Sequence, residues 1–303
     1  MLINCYYYAP HNHELLNRHL EWDLKKMKEI GCDALSVCVQ ESQLTNWHQG
    51  RLHNVVNKAH EYGLKVHAVP NRWAGITAGW IDGFDDKIFQ SPYMLQRPDN
   101  GAPYLDISRD EVKADFMKNI KIMLLDFGFD GIIWDEPRPQ QEDIIVFLDE
   151  MSEYAKSIKP DVVISMFAMA SGLHLAPIVA RTKYIDYLGS DGHVRSEDHQ
   201  MHVMKNTIWK AYDAYNDLLL KAGKKTFYLM EAQRHRDADL DDYLEIIDKA
   251  FNLPMDHFMF YYSAHELSVE YEDIFNNATW NAVKKLSKKR DEEAVRKKEL
   301  VCS

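Results

Sequence analysis

The chain has 303 residues, of which 46% are hydrophobic and 27% are charged, and its formal net charge at pH 7 is −11. A negative charge argues against a nucleic acid or an anionic membrane as partner, because both need a basic surface. No apolar run approaches the roughly 20 residues of a membrane span, and the first residues show no basic region followed by an apolar stretch. The cysteines lack metal-binding spacing, so we expect free thiols and a cytoplasmic protein. They are Cys5, Cys32, Cys38 and Cys302.

Strand and helix signals alternate along the whole chain. Short apolar runs bounded by turn residues predict strands at 2–8, 33–39, 64–70, 130–136, 161–168, 184–190, 225–231 and 257–263. Amphipathic spacing predicts helices at 14–30, 50–62, 141–157, 174–181, 198–221, 239–251 and 275–298. A further helix is predicted to begin at Ser108, which forms a capping box with Glu111.

This alternation predicts one architecture for residues 1–303. Eight βα units without a linker between them favour a closed parallel (β/α)8 barrel in a single domain over an open sheet. The first strand is followed by Ala-Pro-His-Asn-His, which is not the glycine-rich phosphate loop of a doubly wound sheet. The mixed-charge C-terminal segment is typical of a solvated helix face.

Carboxylates follow several predicted strands, where such barrels carry their active sites. Asp135 and Glu136 end the fourth strand before Pro137, Asp191 follows the sixth and Glu231 the seventh. An unpaired acid is costly to desolvate, so these side chains either form structural pairs or line a cleft. Two acids and flat aromatic rings are what a sugar site needs. The candidate sugar-binding residues are His67, Asn71, Arg72, Trp73, Trp80, Trp134, His193, Tyr262 and His265.

Two stretches resemble a known group of enzymes. Residues 103–112, PYLDISRDEV, and 129–136, FDGIIWDE, are similar to the third-helix and fourth-strand region of retaining α-glycosidases of the α-galactosidase and α-glucosidase clans. The resemblance implies that Asp135 is the nucleophile and that Asp191, in Ser-Asp-Gly, is the acid/base. Those enzymes normally carry additional β-domains, for which this chain has no length, so the resemblance does not indicate the sugar.

A second resemblance assigns the carboxylates differently. The sequence Asp-Glu-Pro ending at Pro137 is similar to the Asn-Glu-Pro of the large clan of retaining β-glycosidases. That similarity implies Glu136 as acid/base and Glu231 as nucleophile, and it departs from the clan at Asp135, where asparagine is usual. Strand alternation places Ile133 and Asp135 on one face and directs Glu136 to the other, which favours Asp135.

We therefore expect a retaining glycoside hydrolase that cleaves an oligosaccharide or glycoside and needs no metal or cofactor. One alternative is a metal-dependent amidohydrolase-type barrel, suggested by His11, His13, His193 and His265, although the fourth strand has no lysine to bridge metals. Another is a sugar-binding barrel without catalysis.

Overall fold

Eight strands of the computed structural model form a closed parallel barrel. The structure describes residues 1–8, 17–39, 44, 49–70, 94–96, 103–135, 137, 141–168, 174–192, 216–230, 244, 248, 255–263 and 274–302. The barrel strands are β1 (Leu2–Tyr8), β2 (Ala34–Val39), β3 (Lys65–Pro70), β6 (Gly131–Asp135), β7 (Val163–Ala168), β8 (Tyr187–Gly192), β9 (Lys225–Met230) and β10 (His257–Ser263). They are joined in the order β1-β10-β9-β8-β7-β6-β3-β2.

Helices lie between these strands. Those with described bounds are α1 (Asn17–Glu29), α2 (Gln49–Glu61), α3 (Asp110–Lys121), α4 (Glu142–Ile158), α5 (Ala176–Val179) and α6 (Ile274–Cys302). A π-helical stretch, Ile122–Phe127, continues α3 and ends at Gly128, whose positive φ of 78° favours glycine. The eight parallel strands and their helices confirm the predicted (β/α)8 barrel.

Two local predictions are wrong. The sixth barrel strand begins at Tyr187 rather than at residue 184, because the amides of Lys183 and Tyr184 donate to the Asp149 carboxylate instead of joining the sheet. The capping box at Ser108 does not form. Helix α3 begins at Asp110, and the Ser108 hydroxyl donates to the Asp106 carboxylate at 2.5 Å. An aspartate two residues earlier competes for the serine and forms a local turn.

A small hairpin lies in the long segment between β3 and α3. Strands β4 (Met94–Gln96) and β5 (Pro103–Leu105) pair antiparallel, separately from the barrel. The remaining residues before β5, including the predicted sugar-binding residues Asn71, Arg72, Trp73 and Trp80, lie outside the described part of the chain. None of the described helices is long and apolar enough to cross a membrane.

Buried apolar side chains form two layers on the two faces of the barrel strands. The outer layer joins strand residues such as Leu35, Ile132 and Phe258 to the helices around them. The inner layer contains residues from strands alone, which places it in the lumen: Tyr6, Val69, Ile133, Phe167, Phe227, Leu229 and Met259. Because successive strand residues alternate between the two layers, the backbone register tells which positions belong to the lumen series.

Candidate active site at the carboxyl ends of the strands

Asp135 is the last residue of β6 and is half-buried. Two residues earlier, Ile133 packs in the inner layer, whereas the intervening Trp134 packs in the outer layer. Asp135 therefore continues the lumen series at the carboxyl end of the barrel. Active sites of (β/α)8 barrels lie at this end, because the βα loops converge there.

Asp191 occupies a comparable backbone position two strands away. Asp135 is in register with Phe167 of β7, which is in register with Gly189 of β8. Asp191 lies two residues beyond Gly189, in the same alternating series as Tyr187 of the lumen. In a barrel of shear eight, a step of one strand at constant height corresponds to about one residue along the chain. The two aspartates thus stand at about the same height, separated around the barrel by roughly 10 Å.

The lower lumen contains a buried polar network. The Ser36 hydroxyl donates to Asn4 Oδ1 at 2.9 Å, and Asn4 Nδ2 lies 3.2 Å from His67 Nδ1 and 3.3 Å from His257 Nε2. His257 Nδ1 is 3.1 Å from the Ser165 hydroxyl. Since the amide nitrogen of Asn4 only donates, both imidazole nitrogens facing it accept, and both rings are held neutral.

Burial lowers the pKa of both histidines. It lowers the pKa of His67 to about 4, with Lys65 and Lys159 acting in the same direction and Asp130 against it. For His257, burial and then the proximity of His67 lower the pKa well below its ordinary value. Packing is also tight here, because a Cβ at Gly131 would lie 2.6 Å from His67 Cδ2. The lower lumen is a closed structural layer.

His67, which was predicted to bind sugar, is instead buried in this polar network. Its side chain is 1% exposed, and it lies in β3 two residues below Val69 of the inner apolar layer. That apolar layer separates His67 from the carboxyl ends of the strands, so a ligand at the mouth does not reach it. A histidine in a strand looks the same in sequence whether it faces solvent or a filled lumen.

Trp134 also lies away from the mouth. It is 4% exposed, packs in the outer layer, and its indole Nε1 donates to the Ser152 hydroxyl of α4 at 2.9 Å. Ser152 in turn donates to the carbonyl of Leu148. Trp134 thus connects β6 to the helix that follows it and lies away from the carboxyl ends of the strands, contrary to its predicted sugar-binding position.

Most of the other predicted site residues lie outside the described part of the chain. These are Asn71, Arg72, Trp73, Trp80, Glu136, His193, Glu231 and His265. Tyr262 and Asp191 are described at the backbone level only. Tyr262 occupies the register series of Phe258 and Phe260, which pack in the outer layer. Within the described residues, no group of three or more His, Cys, Asp or Glu side chains could hold a metal ion.

The polar network in the lumen was not predicted from the sequence. Its signal is present, since Asn4, Ser36, His67 and Ser165 are polar residues inside otherwise apolar strands. Each is flanked by apolar residues on both sides, which is typical of a strand position that faces a different layer from its neighbours.

Comparison with solved structures shows the same architecture in several glycoside-cleaving enzymes. An α-amylase from Anoxybacillus matches with a TM-score of 0.63 and 12% identity over 96% of this chain and 78% of that one. An α-amylase from Geobacillus thermoleovorans, complexed with acarbose, matches with a TM-score of 0.61 and 14% identity over 96% and 78%. GH5_18 from Streptomyces cattleya, in complex with GlcNAc, matches with a TM-score of 0.60 and 11% identity over 95% and 79%. The shared feature is the (β/α)8 fold. No protein-family model and no curated protein matches the chain.

Proposed function

We propose that this protein is a retaining glycoside hydrolase with a single catalytic domain, whose substrate is an oligosaccharide or glycoside. The observation that carries the proposal is the position of Asp135, which ends β6 in the lumen series at the carboxyl face of the barrel. Asp191 lies two strands away at about the same height. The fold is shared with α-amylases from Anoxybacillus and Geobacillus, which is consistent with carbohydrate as substrate.

In the proposed mechanism the two carboxylates act on opposite sides of one glycosidic bond. The Asp135 carboxylate attacks the anomeric carbon and forms a glycosyl ester, while Asp191 donates its proton to the departing oxygen. Water then attacks the same carbon, Asp191 takes the proton from that water, and Asp135 leaves with its electron pair. The anomeric configuration is retained because each step inverts it.

The roles place opposite demands on the two groups. Asp135 must be ionised to attack, whereas Asp191 must hold a proton until the bond breaks. A negative charge on Asp135 favours the protonated form of a carboxyl facing it across the mouth, which is the usual way to separate the two pKa values. We propose further that Asn71, Arg72, Trp73, Trp80, His193 and His265 bind the sugar.

An alternative assignment uses Glu231 as nucleophile and Glu136 as acid/base. Both follow the last residues of barrel strands in sequence, directly after Asp135 and Met230. The two assignments share the reaction and differ in which variant loses the covalent step. Measuring which variant no longer forms the covalent intermediate therefore distinguishes the two assignments, whereas identifying the substrate does not.

Turnover of a panel of α- and β-nitrophenyl glycosides tests the proposal, with Asp135→Asn and an exposed control, Asp161→Asn, beside the wild-type protein. We expect one sugar to be cleaved with retention of configuration, with activity abolished by Asp135→Asn and unchanged by Asp161→Asn. Binding of the sugar without turnover by the wild-type protein would instead indicate a non-catalytic sugar-binding barrel. Full activity of Asp135→Asn would exclude our assignment.

A further inference from the structure

Four aspartates at the amino-terminal ends of the barrel strands make the same contact. Each directly precedes an even-numbered strand of the barrel, counted in chain order, and each bonds to the preceding barrel strand. We call them the clamp aspartates: Asp33, Asp130, Asp186 and Asp256. Their partners, the clamped residues, are Ile3, Val66, Ile164 and Thr226.

The contact has two parts in every case. A carboxylate oxygen of the clamp aspartate accepts the backbone N–H of the clamped residue, at 2.8, 3.0, 2.8 and 2.9 Å in chain order. The N–H of the same aspartate donates to the carbonyl of the same clamped residue, at 2.9, 2.8, 2.8 and 3.1 Å. The residues that follow are in register as Asn4–Ala34, His67–Gly131, Ser165–Tyr187 and Phe227–His257.

The clamp solves a hydrogen-bonding problem at the start of each odd-numbered strand. A clamped N–H points towards a neighbouring strand that has not yet begun at that height, and a buried N–H without a partner is unfavourable. The carboxylate takes the place of the missing carbonyl and forms a charge-assisted hydrogen bond. Around Asp130, burial opposes ionisation, but the hydrogen bonds from Val66, His60 and Lys65 outweigh it and lower the pKa to about 2.

Among the described residues, three clamps also bind a cation. Arg290 contacts Asp33 at 2.5 Å, Lys65 contacts Asp130 at 3.1 Å and Lys156 contacts Asp186 at 2.8 Å. At the fourth, Asp256, the Thr226 hydroxyl lies at 3.4 Å. The cations come from different elements, a helix in two cases and a strand in one. The carboxylate-to-backbone contact is therefore the constant part, and the cation is the variable part.

We propose that this barrel consists of four repeats of one unit, and that each unit is a pair of neighbouring strands joined by a clamp. The two carboxylates of the proposed active site, Asp135 and Asp191, then occupy the same position in two of the four units. Asp135 and Asp191 each stand five residues after a clamp aspartate, Asp130 and Asp186 respectively. They are the same position in the second and third units. In the first and fourth units this position holds Cys38 and Tyr261.

The repeat accounts for the geometry of the pair. A fourfold rotation about the barrel axis relates neighbouring units, so equivalent residues share one height and are a quarter turn apart. This agrees with the register, which places Asp191 two residues beyond the partner of Asp135 across β7. The second half of the proposal rests on the proposed function, whereas the clamps do not.

Amide hydrogen exchange on the full chain tests the repeat. Each of Asp33→Ala, Asp130→Ala, Asp186→Ala and Asp256→Ala should accelerate exchange of its own clamped amide by about tenfold or more, because a charge-assisted hydrogen bond is lost. The other three clamped amides should change less. The control Asp161→Ala removes an exposed aspartate just before β7, an odd-numbered strand, and should leave all four amides unchanged.

Asn variants cover the case in which an Ala variant does not fold. The amide oxygen keeps the shape but is a weaker, neutral acceptor, so the proton resonance of the clamped N–H should move upfield in its own unit. An unmoved resonance, or equal acceleration of all four amides in every Ala variant, would overturn the repeat. If the exchange results agree and Asp191→Asn keeps full activity on a substrate that needs leaving-group protonation, the repeat stands and the use of its position for a catalytic pair is overturned. If the exchange results agree and the wild-type protein cleaves no glycoside, the repeat stands and the proposed function fails.

Discussion

The buried histidines predict a loss of stability in mild acid. His67 and His257 are neutral in the folded protein because burial lowers their pKa values, that of His67 to about 4. In the unfolded chain both return to about 6.5. The unfolded state therefore binds more protons below pH 6.5, and the free energy of unfolding falls as the pH falls.

The size of the effect follows from the pKa of His67. Each pH unit between the unfolded and the folded pKa removes about 1.4 kcal/mol for one histidine. From pH 6.5 to pH 5 the loss from His67 is thus about 2 kcal/mol, and it levels off below pH 4 at about 3 kcal/mol. His257 adds to the slope, and because a proton on one ring opposes a proton on the other, the two do not titrate independently.

Urea unfolding at pH 7.5, 6.5, 5.75 and 5 measures this slope, in a range above the titration of ordinary carboxylates. His67→Asn places an amide oxygen near the position of Nδ1, where it accepts from Asn4 without titrating, and we expect it to reduce the slope. The matched control is His174→Asn, since His174 is exposed. A wild-type free energy of unfolding that stays flat from pH 6.5 to 5, or a slope that His67→Asn leaves intact, would refute the buried neutral network.

Three further predictions concern the predicted site residues. Trp134→Phe should lower the free energy of unfolding by about 1–3 kcal/mol with kcat and KM unchanged, because the indole fastens β6 to α4; a raised KM at unchanged stability would return Trp134 to the sugar site. The double variant Trp73→Ala, Trp80→Ala should raise KM for the cleaved glycoside, and unchanged affinity in binding calorimetry would exclude that segment. Glu231→Gly should keep partial activity that azide does not increase, whereas Asp135→Gly should be inactive and rescued by azide with inverted product; the reverse pattern selects Glu231 as nucleophile.

The barrel could be predicted because its signal repeats. Eight apolar runs alternate with amphipathic helices, and each run predicts a strand from its local sequence alone. The start of the sixth strand was predicted wrongly for a non-local reason, because Asp149 of α4 accepts the amide N–H of Tyr184, the residue at which local hydrophobicity had placed the start of the strand. The hairpin of β4 and β5 was not predicted, because strands of three residues show almost no hydrophobic periodicity.

The candidate site was predictable only in part. Asp135 follows from alternation in a short strand, which needs no information about other strands. In sequence, His67 cannot be distinguished from a histidine of an active site. Its depth in the lumen, below Val69, depends on the register of β3 with the neighbouring strands, which the sequence does not give. Each aspartate clamp appears in the sequence as an apolar residue, Asp, any residue and an apolar residue. This pattern is too short to predict a clamp by itself, and its role becomes clear only from the structure, where four copies lie at the same end of the barrel.

The nucleophile can be identified from the residue that carries the covalently attached sugar. The wild-type protein is incubated with a fluorinated, activated analogue of the glycoside that it cleaves, which slows release of the glycosyl ester, and the digested protein is analysed by mass spectrometry. We expect one added sugar, on the peptide that contains Asp135, and none in Asp135→Asn. A sugar attached to Glu231, or turnover with inversion and no attached sugar at all, would contradict it.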